Sequence, residues 1–205
     1  MSTGIFTPPT AYNEPVKAYA PGSPERASLE SELKRMLAEG PIQATNWIDG
    51  KPVTTGTTFN AIQPHNHQSV LATVHAAGEA EITRAIDASL GAARDWAAMA
   101  FEQRAAIFLR MADLVAGPWR DRINASTMLN QSKNVMQAEV DAACEFADFL
   151  RFNVSFAAQI HAQQPPVSPN GQWNRTDWRP LEGFVLALSP FNFTAIAGNL
   201  PTAPA

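Results

Sequence analysis

The chain has 205 residues, 45% of them hydrophobic, and its 19 acidic and 15 basic side chains leave a formal net charge of -4. That balance excludes a strongly basic nucleic-acid binder, and the hydrophobic content is that of a folding chain rather than a disordered one. A single cysteine excludes an internal disulfide and a cysteine-built zinc site, and no apolar run approaches the roughly 20 residues that span a bilayer.

The opening segment, MSTGIFTPPTAYNEPVK, has neither the basic and apolar regions of a secretory signal nor the Arg-rich pattern of a transit peptide. With the lone cysteine, this points to the cytoplasm, or to the mitochondrial matrix for a eukaryotic source. Residues 1–24, punctuated by Pro8, Pro9, Pro15 and Pro21, show no helical or alternating period and read as an extended arm or ordered surface loop. A helix follows over Pro24–Glu39, where Leu29, Leu33, Met36 and Leu37 recur at spacings of three and four before Gly40-Pro41 stops the pattern. Asp49-Gly50, between Asn46-Trp47-Ile48 and Lys51-Pro52-Val53, signals a tight hairpin, because both positions of a type I′ turn need positive φ. Strands are expected at Thr57–Ile62 and Val70–His75, joined through Pro64-His65-Asn66-His67.

The period then lengthens. Helices are expected over Glu79–Met99, Phe101–Ala116, Trp119–Leu129 and, longest, Val135–Gln163, which carries Val140, Cys144, Ala147, Leu150, Val154 and Ala157 on one stripe. After a polar loop, Phe184–Leu188 is a continuous apolar run between Gly183 and Ser189-Pro190, the pattern of a strand buried on both faces of a parallel sheet. Ala195–Ala205 begins a further element. Such a strand needs parallel neighbours across long crossovers, so the sequence reads as the front part of a longer α/β protein, with a complete small domain built on an antiparallel sheet as the alternative.

Few residues suggest chemistry on their own. Cys144 lies in register with an apolar helical stripe, with no His or cationic residue placed beside it by the sequence, so it reads as a small core hydrophobe rather than a nucleophile. His65 and His67 form a pair too small for a zinc site, with His75 and His161 in unrelated segments, and read as a polar turn. No metal is expected. The tryptophans, Trp47, Trp96, Trp119, Trp173 and Trp178, are scattered and read as core and interface anchors, while Glu139, Asp141 and Glu145 read by default as a solvated helix face. Asn192 follows the expected strand after a Ser-Pro turn, at the carboxyl edge where open α/β sheets bind ligands. An amide there can donate to an oxygen that gains charge, although Pro and Asn are also ordinary turn formers.

Ser189-Pro190-Phe191-Asn192-Phe193, preceded by Gly183-Phe184-Val185, resembles the Pro-Trp-Asn-Phe segment of the aldehyde dehydrogenases, with Phe191 in place of the usual Trp. That variant, Thr194–Leu200 after it, Gln137–Glu145, Asn153-Val154 and the Pro-rich arm together resemble the branch of the family that oxidises L-glutamate γ-semialdehyde. The resemblance implies the amino-terminal portion of the aldehyde dehydrogenase fold. It comprises an arm and helix over residues 1–40 and an incomplete Rossmann-like NAD-binding domain with a β-hairpin region over 41–205, the catalytic domain lying outside the chain. It implies NAD as cofactor, a small-molecule aldehyde as substrate, and a homo-oligomer in the full-length enzyme, with no nucleic-acid or membrane partner.

The resemblance also implies roles for single residues. Asn192 would stabilise the thiohemiacetal oxyanion. Ser189, Pro190 and Phe191 would line the NAD site, chiefly through backbone. Phe193 would pack on the aliphatic chain of the semialdehyde, and Glu139 would stand near the substrate and position the thiol or the substrate's polar end. The family's nucleophilic Cys, general-base Glu, ribose-binding Lys and Gly-rich turn all follow the Asn motif, and Cys144 does not match the nucleophile's motif. The chain alone is therefore expected to be inactive. A dehydrogenase for another aldehyde, or an inactive fragment that acts only by binding, are the alternatives.

Overall fold

A computed structural model describes residues 6–199. The expectations for residues 1–5 of the arm, and for residues 200–205 of the last element and of the Thr194–Leu200 motif, lie outside the described residues.

Residues 6–20 run without regular secondary structure, and Ala20-Pro21-Gly22-Ser23 then closes a turn through Ser23 N–H donating to Ala20 C=O at 3.0 Å. Gly22 at φ 78 takes the one position of that turn that an L side chain resists. Ser23 also caps α1 (Pro24–Glu39), accepting from Arg26 N–H with proline at the first helical position. β1 (Ile42–Ala44) runs parallel to β5 (Asn66–His75), which pairs antiparallel with β4 (Thr58–Gln63). β2 (Asn46–Ile48) and β3 (Lys51–Val53) form a separate hairpin, with Asp49 and Gly50 at φ 53 and 68, the positive pair that its two-residue turn demands.

The helices are α2 (Glu79–Ala98), α3 (Phe101–Ala116), α4 (Arg120–Gln131), α5 (Val135–Ala138), α6 (Glu145–Ala162) and a terminal turn, α7 (Ile196–Asn199). The long helix expected over Val135–Gln163 has the expected extent but not the expected regularity. Glu139–Cys144 is wound as a π-helix between α5 and α6. A π turn accommodates an extra residue, shifting the side chains after it relative to those before it.

Two small cores hold these pieces. Ala112, Val115, Phe146, Ala147 and Leu150 join α3 to α6, with Phe108, Ile123 and Ala195 around them. Tyr19, Leu29 and Ala125 join the arm and α1 to α4, flanked by Leu33, Met36, Met128 and Val135. The alanines let the helix backbones approach closely.

Three expectations are corrected. Phe184–Leu188 is not a strand. Leu186 is 73% and Leu188 80% exposed, and no strand lies beside the run among the described residues. An apolar run becomes a buried strand only when neighbours complete its ladder and cover both faces. None of the five tryptophans enters either core. Glu139 does not lie on a solvated face but is 0% exposed.

Exposed apolar surface is abundant. Ile82, Leu90 and Trp96 of α2 and Phe59 and Ile62 of β4 are uncovered. The chain exposes 13619 Å², where a compact monomer of this mass exposes about 9,400 Å².

Leu150 is 1% exposed in the larger core. Leu150→Ala is expected to lower unfolding free energy by about 3 kcal/mol, measured by urea titration.

Candidate functional site

The arm is fastened along α4, the π segment and α6 by side chains rather than by a backbone ladder. Asn13 Nδ2 donates to Asp148 Oδ2 at 2.8 Å, and Glu14 N–H donates to Asp148 Oδ1 at 2.6 Å. The Glu14 carboxylate takes Arg120 Nη1 at 2.7 Å and Arg151 Nη1 at 2.9 Å. Arg120 Nη2 reaches Pro15 C=O at 2.7 Å, and the Arg151 guanidinium lies 4.2 Å from the Tyr12 ring centroid.

Glu139 is the centre of this network. Its carboxylate accepts from Arg120 Nη2, from Lys17 N–H at 2.8 Å, from the Tyr19 hydroxyl at 2.8 Å and from Asn124 Nδ2 at 2.8 Å. Burial works against its ionisation, but these donors prevail and hold its pKa below the ordinary carboxylate value. The same burial, with the Glu139 charge, raises the Tyr19 hydroxyl. Tyr19 sits at φ 51, a left-handed conformation that costs a bulky L-residue roughly 1–2 kcal/mol. Its bonds to Glu139 and Asn124, and its packing on Leu29 and Ala125, fix it there.

Both oxygens of the Glu139 carboxylate are thus engaged by donors of this chain.

Cys144 touches the same network. Its sulfur receives Arg120 Nη2 at 3.4 Å and lies 3.7 Å from Glu139 Oε1. The sequence reading placed no cation beside this thiol, and the fold brings one from 24 residues away. Burial and the Glu139 charge nevertheless outweigh Arg120 and push the thiol up to about 12. Cys144 is a buried free thiol whose raised pKa disfavours the thiolate.

Residues 189–194 lie on another part of the surface. Ser189 Oγ donates to Ala197 C=O at 3.3 Å, Pro190 is exposed and Phe191 is 96% exposed. The Asn192 side chain is exposed, and its amide makes no hydrogen bond among the described residues. Phe193 is half-buried beneath Lys133, whose ammonium stands 4.3 Å from the ring centroid.

Three side chains that sequence reasoning missed hold this segment. Thr127 Oγ1 meets Thr194 Oγ1 at 2.9 Å, Gln131 Nε2 donates to Phe191 C=O at 3.1 Å, and Lys133 Nζ donates to Asn192 C=O at 2.8 Å. Lys133 also pairs with Asp141 at 2.8 Å. Nearby Glu145 is half-buried, and its pKa is raised by burial and by Asp141 and Asp148, with Lys133 opposing.

Two cavities, of about 550 Å³ between α1 and the start of α4 and about 610 Å³ between α2, α3, α6 and residues 178–185, are lined by none of residues 189–194. His65 bonds Gln63 and Ser132, and no group of three or more His, Cys, Asp or Glu gathers as a metal site among the described residues. No described helix is long and apolar enough to cross a membrane.

A family model described as the aldehyde dehydrogenase family matches residues 47–205. The chain belongs to the aldehyde dehydrogenase family. It is 49% identical over 200 residues to the Δ1-pyrroline-5-carboxylate dehydrogenase of Agaricus bisporus, covering 98% of this chain and 37% of that protein. It is 45% identical over 197 residues to the mitochondrial Δ1-pyrroline-5-carboxylate dehydrogenase of Emericella nidulans, covering 96% of this chain and 34% of that one. The crystal structure of the Mycobacterium tuberculosis Δ1-pyrroline-5-carboxylate dehydrogenase bound with NAD superposes with a TM-score of 0.95 at 53% identity, covering 99% of this chain and 38% of that chain. The chain thus spans little more than a third of the length of these aldehyde dehydrogenases, and its architecture is that of the amino-terminal part of their fold.

Two outcomes follow for the buried network. Arg120→Met strands the Glu139 charge and is expected to cost about 3–5 kcal/mol, with Glu139→Gln in the same chain recovering part of the loss in urea titration. Because the folded pKa of Glu139 is lowered, its contribution is present above the ordinary carboxylate value and lost as pH falls below it. The Arg120→Met deficit should therefore shrink on acidification. Cys144, for its part, should react with iodoacetamide at pH 8 on the order of a thousandfold more slowly than a free thiol, and at the free-thiol rate once unfolded in urea.

Proposed function

We propose that this chain is the amino-terminal part of an NAD-dependent dehydrogenase that oxidises L-glutamate γ-semialdehyde, the open form of Δ1-pyrroline-5-carboxylate, to L-glutamate. The observation that carries this reading is the likeness, over nearly the whole chain, to the Mycobacterium tuberculosis Δ1-pyrroline-5-carboxylate dehydrogenase bound with NAD. The relatives named mitochondrial support an organellar form of the same reaction; the chain's own composition supports the cytoplasm.

The geometry supports a division of labour. Asn192 offers an amide that is unengaged among the described residues, on a segment held through its backbone. In this reading the amide donates to the aldehyde oxygen as a thiolate adds to the carbonyl carbon, when that oxygen takes on charge. Cys144, buried and protonated, does not supply that thiolate. We assign it, and the general base, to the part of the family's length that this chain does not span. Phe193, half-buried and facing Lys133, offers a flat apolar surface for the methylenes of the semialdehyde.

Ser189, Pro190 and Phe191 suit the border of a dinucleotide site, being exposed, outside any β-ladder and capped by an uncovered aromatic ring. NAD, when bound, accepts the hydride. Glu139 takes no part at the substrate and anchors the arm, whereas Asp141 and Glu145 are the carboxylates of the same helix that lie toward Lys133 and the Asn192 segment.

The test is steady-state turnover of glutamate semialdehyde by the full-length enzyme. Asn192→Ala is expected to lower kcat on the order of a hundredfold, with NAD affinity nearly unchanged. Asn192→Asp should be at least as harmful, since it sets negative charge beside the developing oxyanion. An Asn192→Ala enzyme within about twofold of wild type, with a pre-steady-state burst showing that product release does not mask the loss, overturns the assignment.

A further inference from the structure

Among the described residues, side chains rather than a ladder hold the segment that carries Asn192. Phe184–Leu188 pairs with no described strand, and residues 189–194 contain only a turn. Its fixed points come from the end of α4 and the link that follows. Thr127 holds Thr194, Gln131 holds Phe191 C=O, and Lys133 holds Asn192 C=O while covering the Phe193 ring. Of these, only Lys133 bonds Asn192 itself.

We infer that Lys133 is a positioning residue, which sets the Asn192 amide by gripping that residue's carbonyl oxygen; this rests on the function proposed above.

Lys133 is suited to the task because its own position is fixed at both ends. Its backbone lies between Ser132, whose left-handed conformation at φ 55 ends α4, and Asn134, which opens α5 through reciprocal bonds with Gln137 at 3.0 Å. Its ammonium is held by Asp141 Oδ2 at 2.8 Å, and Asp141 belongs to the π segment. The side chain is only 17% exposed, so water competes poorly for its donors. Its contacts divide an ammonium's capacity between one carboxylate, one carbonyl and one aromatic face. With the Asn192 oxygen tied back, the side-chain amide makes no hydrogen bond among the described residues. A neutral side chain of similar length could fill the space but could not satisfy Asp141 and the carbonyl together.

An oxyanion donor works only in place, and a displacement of about 1 Å can cost on the order of a hundredfold in rate. Lys133→Met in the full-length enzyme is therefore expected to lower kcat by roughly ten- to a hundredfold, while the KM for NAD and the thermal midpoint stay close to wild type. Lys133→Arg, which keeps the cation, should recover most of the loss. Lys133→Gln carries the same expectation as Lys133→Met should the latter not fold.

A double-mutant cycle separates positioning from general disruption. If Lys133 acts through Asn192, then Lys133→Met adds little to the loss already caused by Asn192→Ala. Equal kcat losses in the two backgrounds, or a Lys133→Met enzyme within about twofold of wild type while Asn192→Ala is crippled, overturn this inference alone. An Asn192→Ala enzyme with undiminished turnover overturns instead the site reading on which it rests.

Discussion

A buried carboxylate is tolerated only when its charge and lone pairs are answered inside the protein, and the answer to Glu139 organises this chain. Arg120 arrives from α4, Lys17 N–H and the Tyr19 hydroxyl from the arm, and Asn124 from one turn further along α4. Arg120 in turn reaches Glu14 and Pro15, so one ion pair ties three separate stretches together. Such a cluster adds less net stability than an apolar core of the same size would, but it tolerates few alternative arrangements, since any misplacement strands a charge. The alanine-rich cores beside it pack any small helical surface, and the network selects which surfaces meet.

The π segment makes that cluster and the Asn192 support parts of one element. Glu139 and Asp141 lie only two residues apart, yet one turns inward to Arg120 and the arm while the other meets Lys133. A regular helix fixes about 100° per residue, whereas the extra residue of the π turn changes the phase between α5 and α6. The same turn keeps Cys144 in the core, where its thiol is shielded. Polarity that would be a defect in a plain helix here links an anchor to a loop.

Much of the framework could be read from residue patterns. Pro24–Glu39 and Phe101–Ala116 are helices at the bounds their caps and stops imply, and Asp49-Gly50 forms its hairpin because few other dipeptides accept two positive φ values. Local signals suffice there. Phe184–Leu188 misled because apolar runs report what a segment requires, not what neighbours it has. Glu139 was legible as important by resemblance but not as buried, since nothing local announces partners 19 and 120 residues away. Lys133 escaped for the same reason: its link to Asn192 spans 59 residues and ends on a backbone oxygen, which leaves no imprint on residue type.

The fastening of the arm also has a temporal side. Glu14 and its partner Arg151 lie 137 residues apart. At roughly 5–20 residues per second, a ribosome needs about 7–27 s to bring the second into existence. Through that interval the Glu14 carboxylate lacks Arg151, and until Glu139 emerges Tyr19 has no reason to adopt its left-handed backbone. The arm is translated before Arg120, Glu139 and Arg151 and can find its place only once they exist, so the nascent chain must keep it from other contacts until then. Pro8, Pro9, Pro15 and Pro21, which bar it from regular helix, serve that end.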